Sequence, residues 1–152
     1  VREIFSEYST GADIAVVEGV MGLFDGYDKW KGSSAEIALA INAPVILVVN
    51  AKSVAYSVAP LIYGFSRFNP RLKIAGVVFN NVASLNHFSF LQSACRDAGC
   101  ECLGYMTRIP ELEIPGRHLG LTISEKENME RIICIAAKEI EAHFDIDKLL
   151  AL

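Results

Sequence analysis

Four short apolar runs divide the chain, and each has the length of a β-strand. They cover residues 13–18 (DIAVVE), 44–49 (PVILVV), 74–79 (IAGVVF) and, more weakly, 101–105. Runs that stay apolar at successive positions are typical of strands covered on both faces, as in a parallel sheet. A membrane-spanning helix needs about 20 apolar residues, so runs of this length favour a chain that does not enter a membrane.

Segments with helical spacing separate these strands. Helices are predicted at residues 2–10, 33–42, 54–68, 85–98 and 125–144, with a short one at the end of the chain. Ser33 with Glu36, and Ser124 with Glu127, have the spacing of capping boxes, and Pro60 is expected to bend its helix. The alternation predicts one α/β domain over 1–152, with three layers and a mostly parallel sheet that has helices on both faces. Ligands of such sheets bind beyond the carboxyl ends of the strands.

The loop after the first predicted strand carries two carboxylates among glycines, in the string EGVMGLFDG at 18–26. Glu18 directly follows the strand, where a carboxylate suits Mg²⁺ beside a triphosphate, and Asp25 adds a second acid. Gly19, Gly22 and Gly26 let the backbone approach a ligand closely. The alternative, that both acids cap turns at a solvated edge, fits the residue types equally well.

Two further candidate sites follow the same rule of position. Ser33 and Ser34 place hydroxyls and free N–H groups at a helix start, which is a natural anion site, although an ordinary N-cap is the simpler interpretation. Asn80 and Asn81 follow the strand at 74–79, where a carboxamide could bind an adenine edge. The alternative is a turn, because Asn favours turns.

The last candidate is the pair Arg117 and His118, which suits a phosphate or carboxylate, although two polar side chains that only face solvent are the more common interpretation. The four cysteines form no CxxC pair and predict free thiols in a reducing compartment. A zinc site built from Cys95, Cys100, Cys102 and His118 is the less favoured alternative, because the spacing does not match the usual zinc motifs.

Composition narrows the function classes. The chain has 152 residues and a net charge of −4, and its Lys and Arg are scattered, so a nucleic-acid surface is not expected. No signal peptide is recognisable at the start, which favours a cytoplasmic location. The first residue is Val within a helical pattern, and a piece cut from a longer protein is therefore expected. No GxxxxGK[ST], GxGxxG or GxSxG string occurs, so the sequence contains no P-loop.

Taken together, these strings resemble a known family. The segments EGVMGLFDG at 18–26, GSSAEIALAINAPVILVV at 32–49, GVVFNNV at 76–82 and PGRHLGL at 115–121 resemble the cobyrinic acid a,c-diamide synthase family. Its members are P-loop amidoligases, related to dethiobiotin synthetase and cobyric acid synthase. The resemblance covers nearly the whole chain and implies a P-loop NTPase-like fold whose N-terminal strand and P-loop are absent here.

The resemblance implies a reaction and a set of roles. ATP would phosphorylate the a- and c-carboxylates of cobyrinic or hydrogenobyrinic acid, and ammonia from a glutaminase domain outside this chain would displace the phosphate. Glu18 would be the acid near Mg²⁺, and Asp25 would line the catalytic loop. Ser33 and Ser34 would lie beside substrate or phosphate. The predicted nucleotide-binding residues are Asn80, which would face adenine, and the pair Arg117 and His118, which would close the nucleotide or corrinoid site.

The sequence departs from the family pattern at some positions, and alternative functions remain to be considered. Ser34 stands where the family would have Thr, which keeps the hydroxyl. The isolated chain is expected to be inactive and to expose an apolar edge that favours a homodimer or aggregation. Two alternatives are a ParA-like ATP-binding switch and another amidoligase such as dethiobiotin synthetase, and a degenerate paralogue without activity would share the same pattern.

Overall fold

A computed structural model describes residues 1–112, 116–117, 120–121 and 126–152. Its centre is a parallel sheet with the strand order β1–β2–β3, formed by Val45–Asn50 (β1), Ile74–Val82 (β2) and Cys102–Thr107 (β3). Helices connect the strands, as parallel neighbours require. The predicted α/β class with a parallel sheet is confirmed.

Six helices surround the sheet within the described part of the chain. They are Arg2–Ser9 (α1), Ser34–Ile41 (α2), Val58–Phe68 (α3), Leu85–Asp97 (α4), Lys126–His143 (α5) and Ile146–Leu150 (α6). A 3₁₀ turn, Pro110–Leu112, and an antiparallel pair of two-residue strands, Gly116–Arg117 (β4) and Gly120–Leu121 (β5), follow β3. None of the helices in these described ranges is long and apolar enough to cross a bilayer.

The core lies between the sheet and helices α3 and α4. Leu47 of β1 and Phe79 of β2 pack there against Ile62 of α3 and Leu91 of α4, and all four side chains are buried. Burying one such side chain contributes roughly 1.5–3 kcal/mol to folding. Packing on this face therefore holds the sheet in place, and it also holds the carboxyl ends of β1 and β2 in position.

The predicted strand at 13–18 is wrong, because this segment has no strand conformation. Its side chains are exposed, and Val16 reaches 91% exposure. An apolar run becomes a strand only when neighbouring strands supply hydrogen bonds and cover, and no described strand pairs with these residues. The β1 edge of the sheet likewise has no described neighbour, and Val48, on the face opposite Leu47, is 65% exposed.

The start of α3 also differs from its prediction. The helix begins at Val58 and not near 54, so Pro60 lies in its first turn. A proline there removes no helical hydrogen bond, because the first N–H groups of a helix have no intrahelical partner. The expected bend therefore has no cause, and residues 51–57 form a loop at the carboxyl end of β1. Ser124 lies outside the described residues, so its predicted capping box with Glu127 stays a prediction.

Candidate functional site

The loop that follows the segment at 13–18 is pressed against the start of α2. A Cβ atom added to Gly19 would lie 2.6 Å from the Ser34 hydroxyl oxygen, so a side chain at this position would force the Ser34 hydroxyl to move. The N–H of Ala35 donates to the carbonyl of Leu23 at 3.0 Å, which ties the loop to the first helical turn. Glu18 directly precedes Gly19 and is exposed, so its backbone adjoins the residue that approaches the Ser34 hydroxyl.

Aromatic packing anchors the same loop to the core. Phe24 stacks on Phe65 of α3 with ring centroids 6.0 Å apart and meets Phe68 edge-on at 4.8 Å. Such pairs contribute about 0.5–1.5 kcal/mol beyond their buried area. Leu23 and Phe24 therefore hold the loop EGVMGLFDG against the core, while its acidic and glycine positions remain at the surface.

Asp25 lies in a tight turn of this loop. Its N–H donates to the Gly22 carbonyl at 2.9 Å, and a Cβ atom at Gly22 would overlap the Asp25 carboxylate. A Cβ atom at Gly26 would overlap the carbonyl oxygen of Lys31 across the next turn. The glycines are therefore needed for the fold of the loop itself, and the Asp25 side chain turns back over Gly22 at the surface.

Ser33 and Ser34 have different positions although they are adjacent. Ser33 is buried and is the N-cap of α2, accepting the Glu36 N–H at 3.4 Å. The Glu36 carboxylate accepts the Gly32 N–H at 2.6 Å, one residue before the position expected for a capping box. Because the Ser33 hydroxyl is engaged in the cap, Ser34 is the hydroxyl of this pair that lies against Gly19.

A second cluster of polar groups forms an open cleft of about 500 Å³ at the carboxyl ends of β1 and β2. Backbone and side chains of both strand ends contribute, together with the loop at 51–57 and the residue after β3. The lining residues are Asn50, Lys52, Ser53, Asn81, Val82, Ala83, His87 and Arg108. Lys52 and Arg108 are cationic among these described lining residues, and cationic side chains in a cleft attract an anionic ligand.

Three asparagines organise the base of this cleft. Oδ1 of Asn50 accepts hydrogen bonds from Nδ2 of Asn81 at 3.0 Å and from the Lys52 N–H at 3.1 Å. Asn81 has a φ of +61°, a conformation that asparagine tolerates, and its N–H donates to Oδ1 of Asn80 at 2.8 Å. Asn80 is exposed and does not line the cleft, so Asn81 and Asn50 present their carboxamides there instead.

Sequence reasoning missed Asn50, Lys52, His87 and Arg108. Asn50 carried a usable signal, since a polar residue directly after the apolar run at 44–49 is the same cue that selected Glu18 and Asn80. His87 and Arg108 had no such cue, because their positions at the cleft follow from the pairing of strands distant in sequence.

The remaining predicted groups lie elsewhere or outside the described residues. The backbone of Arg117 pairs with Gly120 in the small hairpin, and His118 lies outside the described residues. Within the described ranges no three His, Cys, Asp or Glu side chains gather as metal ligands. Cys95 is buried in α4, and Cys102 of β3 packs against the same cluster.

A parallel α/β sheet with polar groups gathered beyond its strand ends is the architecture of nucleotide-handling domains. A family described as "AAA domain" matches residues 1–115. The match covers more than half of the chain, and the chain belongs to this family, whose P-loop NTPase-like fold agrees with the observed sheet.

Curated relatives are similar along nearly the whole chain, which confirms the resemblance seen in the sequence. The chain is 44% identical over 97% of its length to cobyrinate a,c-diamide synthase of Listeria innocua and 43% identical over 97% to that of Dehalococcoides mccartyi. It is 43% identical over 92% to hydrogenobyrinate a,c-diamide synthase of Brucella ovis. The chain spans about a third of the length of these relatives. No solved structure matches it significantly.

Proposed function

We propose that this chain is part of the ATP-dependent domain of a ligase that amidates the a- and c-carboxylates of cobyrinic or hydrogenobyrinic acid in cobalamin biosynthesis. The observation that carries the proposal is the contact between Gly19 and Ser34, from which we infer that the neighbouring Glu18 carboxylate can reach a hydroxyl at a helix start. Similarity to synthases of that name over nearly the whole chain supports the choice of substrate.

The proposed chemistry has two steps. A carboxylate oxygen of the corrinoid attacks the γ-phosphorus of ATP, and ADP leaves, so an acyl phosphate forms. Ammonia then attacks the acyl carbon, phosphate leaves with the carboxylate oxygen, and the nitrogen loses a proton to give the amide. The ammonia comes from glutamine at a glutaminase domain outside this chain.

The oxygen groups near α2 fit a Mg²⁺ ion. Carboxylate and hydroxyl oxygens are the hard ligands that this ion prefers, and Glu18 and Ser34 supply one of each. When bound, Mg²⁺ neutralises charge on the phosphates of ATP. Asp25 shapes the loop beneath Glu18, and Ser33 keeps the start of α2 in place through its cap.

The cleft at the ends of β1 and β2 is proposed to take the other part of the nucleotide. Asn81 offers a carboxamide that can pair with the adenine edge, and Asn80 supports it by accepting its N–H. Lys52 and Arg108 provide positive charge for phosphate or for a corrinoid carboxylate. Arg117 and His118 are proposed to close the nucleotide or corrinoid site.

Glutamine-dependent amidation by the complete protein tests this proposal. Glu18→Gln removes the carboxylate charge without changing its size, and we expect kcat to fall by at least about a hundredfold, because a metal-binding acid acts on charge in the transition state. Glu7→Gln on the exposed face of α1 is the matched control and should leave the rate unchanged. An unchanged rate in Glu18→Gln would contradict the metal-binding role.

A further inference from the structure

His87 makes two hydrogen bonds that join separate parts of the cleft. Its Nδ1 atom lies 3.1 Å from the backbone nitrogen of Ala83, and its Nε2 atom lies 2.5 Å from the carbonyl oxygen of Val54. The imidazole is partly buried and lines the cleft itself. It therefore bridges the segment before α4 and the loop at 51–57. Val54 and His87 are 33 residues apart in sequence.

These contacts fix the chemistry of the ring. The Ala83 N–H can only donate, so Nδ1 must be the unprotonated, accepting nitrogen. The Val54 carbonyl can only accept, so Nε2 must carry the proton. His87 is thus required as the neutral Nε2–H tautomer in this arrangement, and its own N–H is positioned by the Ser84 hydroxyl, which accepts it at 3.1 Å.

The loop that His87 holds supplies Lys52 and Ser53 to the cleft. Ser53 has a φ of +62°, which costs a non-glycine residue conformational energy and persists only when neighbouring contacts enforce it. The bond to Val54 is one residue from Ser53, so it is placed to enforce this conformation. The hydroxyl of Tyr56 donates to Asp97 of α4 at 2.5 Å and anchors the far end of the same loop.

We propose that His87 is a positioning residue that clamps the loop at 51–57 through its Nε2–H and so sets Lys52 and Ser53 at the anionic-ligand cleft. The clamp itself rests only on the contacts of the ring, whereas its effect on ATP rests on the function proposed above. His87 takes no part in proton transfer to the substrate, since both ring nitrogens are engaged by backbone groups.

Three substitutions of His87 distinguish its hydrogen bond to Val54 from its hydrogen bond to Ala83. His87→Gln keeps a donor that can reach the Val54 carbonyl, His87→Asn keeps only an acceptor for the Ala83 N–H, and His87→Leu keeps neither. In the complete protein we expect His87→Leu and His87→Asn to raise KM for ATP about tenfold while kcat changes less, the loss expected from one hydrogen bond. His87→Gln should restore KM to within about threefold of the parent.

Nitrogen NMR of the imidazole tests the clamp independently of activity. The parent chain should show the Nε2–H tautomer, and the amide signals of 51–57 should move in His87→Leu and return towards the parent positions in His87→Gln. An Nδ1–H tautomer, equal KM values in His87→Gln and His87→Leu, or a loss confined to kcat would overturn the proposal. If Glu18→Gln also left amidation unchanged, the proposed function would fail, while the tautomer and loop shifts would still decide the clamp.

Discussion

The carboxamide of Asn81 donates from Nδ2 to Oδ1 of Asn50 at 3.0 Å and thereby joins the carboxyl end of β2 to that of β1. The same oxygen of Asn50 accepts the Lys52 N–H, so both amide orientations are determined by a donor that cannot be reversed. This pair fixes the base of the cleft, and the nucleotide proposal depends on its geometry.

Replacing Asn81 by Asp should weaken ATP binding to the complete protein by about tenfold or more, because the donor to Asn50 is lost and two oxygens then face each other. Asn80→Asp adds the same charge but keeps an oxygen to accept the Asn81 N–H, so its effect should stay within about threefold. Isothermal titration calorimetry with Mg-ATP measures both. Equal losses of ATP affinity in the two variants would mean that the added charge alone weakens binding and that the contact between Asn81 and Asn50 does not contribute.

The glycines of the loop at 18–26 should be sensitive to substitution for a steric reason. Gly26→Ala places a methyl group against the Lys31 carbonyl, so we expect the free energy of unfolding to fall by about 2 kcal/mol. Gly64→Ala in α3 meets open space and should stabilise the protein by about 0.5–1 kcal/mol, since glycine is costly within a helix. Urea unfolding compares them, and a neutral Gly26→Ala would show that the turn has another conformation.

The Cys95 thiol donates a hydrogen bond to the sulfur of Cys102, which lowers the pKa of Cys102 and raises the pKa of Cys95. Removing the donor in Cys95→Ala should raise the pKa of Cys102, leave less thiolate at neutral pH and slow its alkylation by iodoacetamide. Mass spectrometry of the Cys102 peptide across pH 6 to 9 (roughly the range in which thiols titrate) follows this shift. Cys134→Ala, at an exposed site, should not change the Cys102 rate, and an unchanged rate in Cys95→Ala would contradict the assigned hydrogen bond.

Exposed apolar side chains on the open face of β1 should promote self-association of the chain. Val48 is the clearest case, and Val48→Glu should shift the chain towards monomer in light scattering at increasing concentration. Gln92→Glu adds the same charge at an exposed position of α4 and should leave association unchanged. A parent chain that stays monomeric throughout would contradict the expected homodimer.

Local signals predicted much of this fold. The apolar runs at 44–49, 74–79 and 101–105 became β1, β2 and β3 because each finds a parallel neighbour, and the Ser33 cap formed because it needs only residues within one turn. The run at 13–18 had the same composition but no partner among the described strands, so composition alone misjudged it. A strand depends on what lies beside it, which a single segment does not encode.

Some residues of the candidate site could likewise be predicted from local sequence, and others depend on the packing of distant segments. Glu18 and Ser34 were chosen by their position after a predicted strand and at a helix start, and the fold brings Gly19, the neighbour of Glu18, against Ser34 although the predicted strand does not form. Asn81 rather than Asn80 lines the cleft, and Asn81 is the one of the two with a left-handed backbone conformation. His87 could not be found from local sequence, since its partner Val54 lies in the loop before α3 and is reached only because α4 packs beside α3.

In the proposed reaction a corrinoid carboxylate is activated as an acyl phosphate before it is amidated, and this step can be followed by the transfer of labelled oxygen. The complete protein would be given substrate with ¹⁸O in its a- and c-carboxylates, together with ATP and glutamine. We expect each amide formed to release inorganic phosphate carrying one ¹⁸O atom, because the carboxylate oxygen that attacked phosphorus leaves with it. Diamide formed with unlabelled phosphate would rule out the acyl phosphate.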